Sequence, residues 1–554
     1  MQKKALLFAL IILFTFQISW SQTPYKVKTL LNGVEVQDTW PPQTNKIDER
    51  KEMPVPYLQR NQKVIPVNMG RQLFVDDFLI KSTNLAAVSH TPVYSKSNPV
   101  LEPDKEWESN AAGPYAAPFS DGIWFDEKDQ KFKMWYLAGS PKKSQQSFHT
   151  CYAESKDGIN WQKPNLGIYG NTNIVDTFDR DASVIWLDKQ QTDPLKRFLM
   201  FSVQKPLTYD DGRFQEIWKL VLKYSPDGIN WSNRVAQSGG DLSDRNTAFY
   251  NPFSDKWVIS IRYESPFGRA RNYLENKSPE KAVNLTRSVK NNAKDTNTIY
   301  WFGADNKDPR HPSFKNIDPQ IYNFDAIAYE SIMLGYFTVW QGPENNVCDS
   351  LGIQKRNEVL IGYSRDGFHY SRPSHKPFMG VNEVDGAWNW GNVQSIAGVP
   401  LIKGDSLYFY VSGRRLNKEM WDAYTTTGLA SLRRDGFVSM NTNKTGYLLT
   451  RDLAFDGDYF FINEDVKGEL RVEIEDSNGN VIPGFSAKDC IPMKGNSTKF
   501  LVTWKGKKSL SKIKNKIIKV KFYLTKGDLY SFCISPWSTG ESRGYTAGGG
   551  PGLS

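Results

Sequence analysis

The sequence predicts an all-β chain, a five-bladed β-propeller followed by a C-terminal β-sandwich, on three observations. One short phrase recurs at a fixed period. Short apolar or alternating runs bounded by Gly, Asp, Asn and Pro fill the chain, and no long amphipathic helix interrupts them. The phrase reads SKDGINW at residues 155–161, SPDGINW at 225–231, SRDGFHYS from Ser364 and RRDGF from Arg433. Asp157 to Asp227 is 70 residues, Asp227 to Asp366 is 139, and Asp366 to Asp435 is 69. The doubled middle interval places a worn copy at DTNTIYW, with Asp295 and Trp301, so the count is five units of about 70 residues. Each Asp-Gly marks a tight hairpin, because Gly accepts positive φ and Asp bonds its own turn backbone. Asp157, Asp227, Asp366 and Asp435 are expected at equivalent hairpins, with Trp161 and Trp231 buried between blades.

The elements follow in order. Residues 1–21 combine a basic start, an apolar run from Ala5 to Trp20 and small residues before a cut after Ser21. That is the pattern of a cleaved signal peptide, so the expectation is a secreted or periplasmic product without a membrane span. No Cys follows the run, which argues against a lipoprotein anchor. Residues 22–70 are polar and Pro-bearing and read as an N-terminal arm. Residues 71–445 hold the repeats and read as the five-bladed propeller, four strands to a blade. Residues 446–536 change texture, with an Asn-Gly hairpin in GELRVEIEDSNGNVIPGF and further strands in TKFLVTW, IIKVKFYL and DLYSFCIS, and read as a β-sandwich. Residues 537–554 form a Gly-rich tail.

Composition narrows the function. The 554 residues carry a net charge of +10, or +8 once Lys3 and Lys4 leave with the signal, and much of the excess lies in KGKKSLSKIKNKIIKVK at 505–521. That run reads either as strands with a solvated basic face or as a surface attracting a polyanion. An exported chain without a nucleic-acid motif excludes nucleic acid, which leaves an acidic or sulfated glycan as the partner. Four cysteines make no disulfide framework; Cys490 and Cys533 are either a pair or two buried thiols. Neither the cysteines nor the five histidines have metal-ligand spacing, so no metal or cofactor is called for.

Propeller chemistry sits where the innermost strands meet the axis. The corresponding segments are NAAGPYAAPFSDGIWFD, DRDASVIWLD, SDRNTAFYNPF, YNFDAIAYESIMLG and WNWGNVQSIAGVPLIKG. Asp181, Asp244 and Glu330 head or cross three of them and are the catalytic candidates, because glycoside cleavage needs one carboxyl as acid and another as base or nucleophile. Glu330 or Asp244 is expected to donate the proton and Asp181 to orient substrate. Arg180, Arg245, Tyr329, Trp388, Trp390, Asn392 and His149 are the substrate-binding candidates. The same carboxylates read equally well as turn-closing groups or partners of the adjacent arginines.

The five-unit count, the Ser-x-Asp-Gly-x-x-Trp phrase and DRDASV at 179–184 resemble the five-bladed glycoside hydrolases of the invertase and arabinanase groups. Arg180-Asp181 is similar to the Arg-Asp pair those enzymes carry at the start of blade two, and many members add a C-terminal β-sandwich. RQLFVDDFLI, YNPFSDKWVISIR and GYTAGGGPG resemble, more narrowly, secreted proteins of polysaccharide-degrading bacteria related to those hydrolases. The chain departs from the invertase group in lacking its Asn-Asp-Pro tripeptide and its Glu-Cys acid. VDDFLI, with Asp76 and Asp77, occupies only a similar early place. The resemblance implies a glycosidase acting on oligosaccharides of an anionic polysaccharide. Two other readings stand beside it. One is a lyase or dehydratase that acts by β-elimination on uronic-acid sugars of ulvan-like oligosaccharides, with Arg180, Arg245, Tyr329 and His149 serving. The other is a non-catalytic glycan-binding propeller.

Overall fold

The computed structural model describes residues 26–43, 49–60, 62–110, 113–139, 141–142, 145–146, 148–205, 207–210, 213–285, 298–384, 386–415 and 424–553. The proposed signal segment and Asp295 fall outside them. Among the described residues the chain is nearly all β, and no helix is long and apolar enough to cross a membrane.

The first sheet combines Ala116–Ala117, Ile123–Asp126, Lys131–Ala138, His149–Ser155 and Ile174–Asp176, all antiparallel. The second is Arg180–Leu187, Phe198–Gln204, Lys219–Ser225 and Ala236–Gln237. The third is Thr247–Asn251, Lys256–Ser265, Gly268–Asn276 and Ile299–Phe302. A fourth group, Gln320–Glu330, Ile332–Gly342 and Arg356–Ser364, joins a fifth through a single parallel pair, Asn357 with Asn392. The fifth holds Asn392–Gln394, Leu401–Lys403, Ser406–Arg415 and Tyr424–Arg433, and takes the early strand Val93–Tyr94 as its outer member.

The recurring phrase is a structural device. In the first sheet Ser155 Oγ bonds Asp157 Oδ1 at 2.9 Å and accepts from Gly158 N at 2.9 Å, while Asp157 Oδ1 accepts from Ile159 N and Asn160 N, both at 2.8 Å. The Asn160 amide adds a bond to Asp157 Oδ2 at 2.7 Å. Asp227 repeats these bonds within 0.1 Å, and Asp366 repeats them within 0.2 Å in the fourth group with His369 Nδ1 in place of the Asn amide. Five bonds around one carboxylate and one hydroxyl fix the turn and aim its tip.

The tips dock on neighbouring sheets. Trp135 of the first sheet donates Nε1 to Gly228 O at 2.6 Å, and Trp301 of the third donates Nε1 to Phe368 O at 2.8 Å. Tyr410 of the fifth group donates its hydroxyl to Gly158 O in the first sheet at 2.5 Å, so the last group grips the first. Asp435 departs from the pattern: it sits in the left-handed region at φ 59°, and its carboxylate accepts from Arg71 Nη1, Tyr329 Oη and Ser531 Oγ at 2.9, 2.6 and 2.6 Å. Trp161 and Trp231 are half-buried rather than sealed, because each lies beside the rim of its turn; Trp161 meets the Tyr410 ring edge-on at 5.6 Å.

The chain beyond the last hairpin builds one curled nine-stranded sheet around the long strands Val438–Thr450, Tyr459–Asp476, Met493–Leu501 and Ile517–Ser535. Four short early strands, Ile65–Pro66, Gln72–Leu73, Ile80–Thr83 and Ala86–Ser89, pair into the same sheet. The start of the chain is thereby sewn to its end. All four cysteines are free and buried.

Gly228 has φ +80°, and a Cβ there would enter the Trp135 ring. Gly228→Ala should therefore cost about 2–4 kcal/mol, from left-handed backbone and overpacking together. Gly167→Ala, at φ +69° but facing open space, should cost only about 1 kcal/mol. Thermal unfolding of the two variants side by side checks the difference; equal shifts would refute the docking account.

Candidate functional site

A cavity of about 230 Å³ opens where the strand groups converge. Every group contributes to its wall: Tyr115 from the segment leading into the first sheet, Asp181 from the second, Asp244, Arg245 and Arg269 from the third, Tyr322 and Lys355 from the fourth, and Arg414 from the fifth. Lys205, just past Phe198–Gln204, and Glu344, just before the short helix Asn345–Leu351, complete the charged lining. Five cationic side chains thus face three carboxylates.

The acidic pair is clamped. Asp181 Oδ2 accepts from Arg245 N at 2.8 Å, and its Oδ1 lies 3.5 Å from Arg245 Nη2. Ser243 and Arg245 both adopt positive φ, 62° and 59°, so the loop carrying Asp244 is held in a conformation that side chains rarely take. Asn246 secures it, donating to Leu242 O and Ser243 O at 3.3 and 2.9 Å. Asp244 pairs with Arg262 and lies 3.6 Å from Arg269 Nη1. Burial opposes its ionisation, but the guanidinium groups of Arg269, Arg262 and Arg245 prevail and hold its carboxyl down at about 2.

Tyr322 is the reverse case of buried tyrosines such as Tyr329 and Tyr336, whose phenols burial pushes up. Burial alone would push its phenol up; Lys355 and Arg245 bring it down to about 7. Lys355 Nζ lies 3.3 Å from the phenol oxygen, and the Arg269 and Arg245 guanidinium groups stand 4.6 and 5.6 Å from the ring centre. Across the cavity Arg414 donates to the Tyr115 hydroxyl and covers its ring at 5.3 Å. The arrangement offers an ionisable phenol among fixed positive charges.

Of the residues singled out in the sequence, Asp181, Asp244 and Arg245 meet in this cavity. Arg180 lies behind the wall, buried, donating to Asp121 Oδ2 at 2.5 Å and to Thr150 Oγ1 at 2.7 Å. His149 is half-buried at the head of His149–Ser155 with Nδ1 unpartnered, and it does not line the cavity. Asn392 acts at one remove, donating to Lys355 O at 3.2 Å. Trp388 fills the space over Gly413 and Gly428, where any Cβ would enter its ring, and Trp390 lies beyond it off the cavity.

Glu330 and Tyr329 lie elsewhere. They stand eight and seven residues beyond Tyr322 on the strand Gln320–Glu330, about 23–26 Å along an extended chain. Glu330 is fully buried, accepting from Arg71 N at 3.0 Å and Ser542 Oγ at 2.6 Å, and Tyr329 bonds Asp435. Sequence reasoning passed over Lys205, Arg269, Tyr322, Lys355 and Arg414. Tyr322 heads the very segment, YNFDAIAYESIMLG, from which Glu330 was chosen. Position at the head of an inner strand was the available signal.

Asp305, Asp308 and His375 bring potential metal-ligand atoms within 4.8 Å of one another. Arg372 Nη1 stands 2.8 Å from Asp305 Oδ2 and Nη2 pairs with Asp308, so a guanidinium already fills the cation position.

No family profile and no curated protein matches this chain. Among solved structures it is similar to a glycosyl hydrolase from Bacteroides ovatus at 12% identity, with 66% of this chain and 97% of that one covered and a TM-score of 0.37. It is similar to the exo-beta-1,3-galactanase of Phanerochaete chrysosporium at 10% identity, over 80% and 99% of the two chains, with a TM-score of 0.32. The GH32 beta-fructofuranosidase of Bombyx mori matches at 10% identity, over 79% and 94%, with a TM-score of 0.36.

Beneath the cavity, burial pushes Asp121 and Asp325 up to about 7, against Arg180 for the first and the Ser120 hydroxyl for the second. A carboxyl raised from 3.8 favours the folded state while protonated. Its contribution is therefore present below about pH 4 and lost as pH rises through about 7. Asp325→Asn, which keeps the acceptor for Ser120 and Asn323, should raise Tm at pH 8 by several degrees and flatten its decline between pH 4 and 7. An unchanged slope would mean Asp325 ionises freely in the folded protein.

Proposed function

We propose that this chain is an exported, five-bladed propeller enzyme whose curled C-terminal sheet folds as a β-sandwich, and that it acts on an acidic saccharide bound in the central cavity. The geometry favours β-elimination. The observation that carries this is Tyr322, a phenol brought to about 7 by Lys355 and Arg245 within a cavity of five cationic side chains.

The chemistry follows from the groups present. A uronate carboxylate would be met by Arg245 and Arg269, which withdraw its charge and acidify the C–H bond beside it. Tyr322 as phenolate takes that proton, the C–H electrons become the new C=C bond, and the C–O bond at the neighbouring carbon breaks. The protonated phenol then returns its proton to the departing oxygen. If that oxygen is glycosidic the reaction is a lyase cleavage; if it is a hydroxyl, water leaves. Arg245 keeps the role given to it from sequence, while Tyr322 takes the one given to Tyr329. The hydrolytic reading rests on Asp181 and Asp244 sharing the cavity. Against it, Asp244 is held at about 2 and has no proton to donate at neutral pH. The binding-only reading predicts no turnover by any of these groups.

Tyr322→Phe should lower turnover about 10²–10⁴-fold on uronate oligosaccharides. The wild-type rate should rise with pH through about 7, where the phenolate forms, and its products should absorb in the ultraviolet through the conjugated double bond. Products that have gained water without that absorbance, with Asp181→Asn and Asp244→Asn inactive and Tyr322→Phe active, would replace elimination by hydrolysis. Screening acts over about 10 Å at 0.1 M salt, so apparent affinity should also weaken as salt rises.

A further inference from the structure

We propose that a second groove, between the end of the first sheet and the hairpin of the second, is a non-catalytic binding site for the same class of acidic saccharide. It encloses about 540 Å³. Tyr169 and Phe178 line it at 41% and 61% exposure, joined by the half-buried Trp231. Aromatic planes so exposed cost solvation unless an apolar surface covers them, and the C–H face of a pyranose is such a surface with hydroxyls at its edge.

Among the described residues, two buried donors of the groove stand unmatched. Gln204 is only 7% exposed, and its amide nitrogen has no hydrogen-bond partner; neither has Trp231 Nε1. A buried donor left unmatched costs about 1–3 kcal/mol, which an oxygen-rich ligand entering beside it would relieve. Lys223 is neutralised by Asp176 at 2.6 Å and stands 4.5 Å above the Phe178 ring, so Arg234 on the rim is the cation in excess. Aromatic planes, unmatched donors and one positive charge describe a sugar site with room for an anionic group.

Its position relates it to the catalytic cavity. Gln204 and Lys205 are neighbours at the end of one strand; Gln204 lines the groove and Lys205 the cavity. Phe178 and Asp181 divide in the same way. The two sites occupy opposite sides of the same two segments. The ligand class rests on the acidic-saccharide reading of the cavity, while the groove itself does not.

Affinity gel electrophoresis of the full chain, in gels containing polygalacturonate, ulvan or neutral laminarin, tests this. The wild type should be retarded by an acidic polymer. The double variant Tyr169→Ala/Phe178→Ala should lose at least about tenfold in apparent affinity, with Tm and turnover of short uronate oligosaccharides unchanged. Tyr322→Phe should be retarded like the wild type, so a failure of the elimination reading leaves this result intact. Retardation of the double variant equal to that of the wild type, or of the wild type by laminarin alone or by no polymer, would overturn the proposal.

Discussion

The fold depends on one constraint: the tip of each Ser-x-Asp-Gly hairpin must approach a neighbouring sheet closely enough for backbone to bond side chain. A left-handed residue without Cβ meets it. At Gly158 and Gly228 the glycine's own carbonyl accepts from Tyr410 and Trp135, and at 366–368 the flanking carbonyls accept from Asn251 and Trp301. Because the fifth group grips the first through Tyr410, the sheets cannot splay, and the heads of their inner strands are brought to one place. The cavity is a consequence. Tyr115, Asp181, Arg245, Tyr322 and Arg414 come from five different strand groups and share a wall only while the tips stay docked.

A second buried device joins the chain's ends to this frame. Arg71 Nη1 bonds Asp435 Oδ2 at 2.9 Å, its Nε lies 3.7 Å from Glu330, and Arg434 reaches Glu330 at 3.3 Å. Ser531 and Asn463, both from the C-terminal sheet, also donate to Asp435, and Ser542 donates to Glu330. Charges buried this completely persist only when every partner is present, and removing one costs about 3–5 kcal/mol. Glu330 is therefore committed to structure. Loss of activity on replacing it would report unfolding, not chemistry.

This explains what the sequence could convey. The hairpin phrase carries its own turn chemistry, so the repeat, the strand-rich texture and the order of the groups were legible; Ser, Asp and Gly act within a few residues of one another. Asp181, Asp244 and Arg245 share the cavity because they lie at or just before the heads of strands that converge on it. Glu330 was misplaced because an eleven-residue strand has two ends, and a carboxylate near either fits the same pattern. Trp388 and Asn392 are on the right strand group but face its interior. Lys205, Lys355 and Arg414 were invisible for another reason. A lysine or arginine beside a strand terminus is ordinary on any surface, and only the meeting of five groups makes such residues neighbours. The early strands over 65–89 pair with sequence some 350–460 residues away, a contact no local pattern records.

The charge argument also changes place. From composition the basic run 505–521, which holds much of the excess of +10, reads either as strands with a solvated basic face or as an anion-attracting surface. In the structure Lys519 from that run is buried, paired with Asp452 at 3.0 Å and bonded to Ser477 O at 2.5 Å, while Ile518, Val520 and Phe522 fill the core beside it. Only residues 517–521 of that run belong to a strand, while Lys505, Lys508, Lys512, Lys514 and Lys516 stand exposed. The cavity differs in kind, because its cations stand in a partly dry space where a unit charge is felt several times more strongly than in water. Two of its three carboxylates are already engaged by arginines, which among the described residues leaves Lys355 beside Tyr322 and Arg414 beside Tyr115 without an acidic partner. A phenolate on Tyr322 answers part of that excess and an anionic ligand the rest. The same charges that would draw an acidic sugar in also hold the phenol near its ionisation point, so in the proposed reaction binding and proton abstraction would arise from a single electrostatic arrangement.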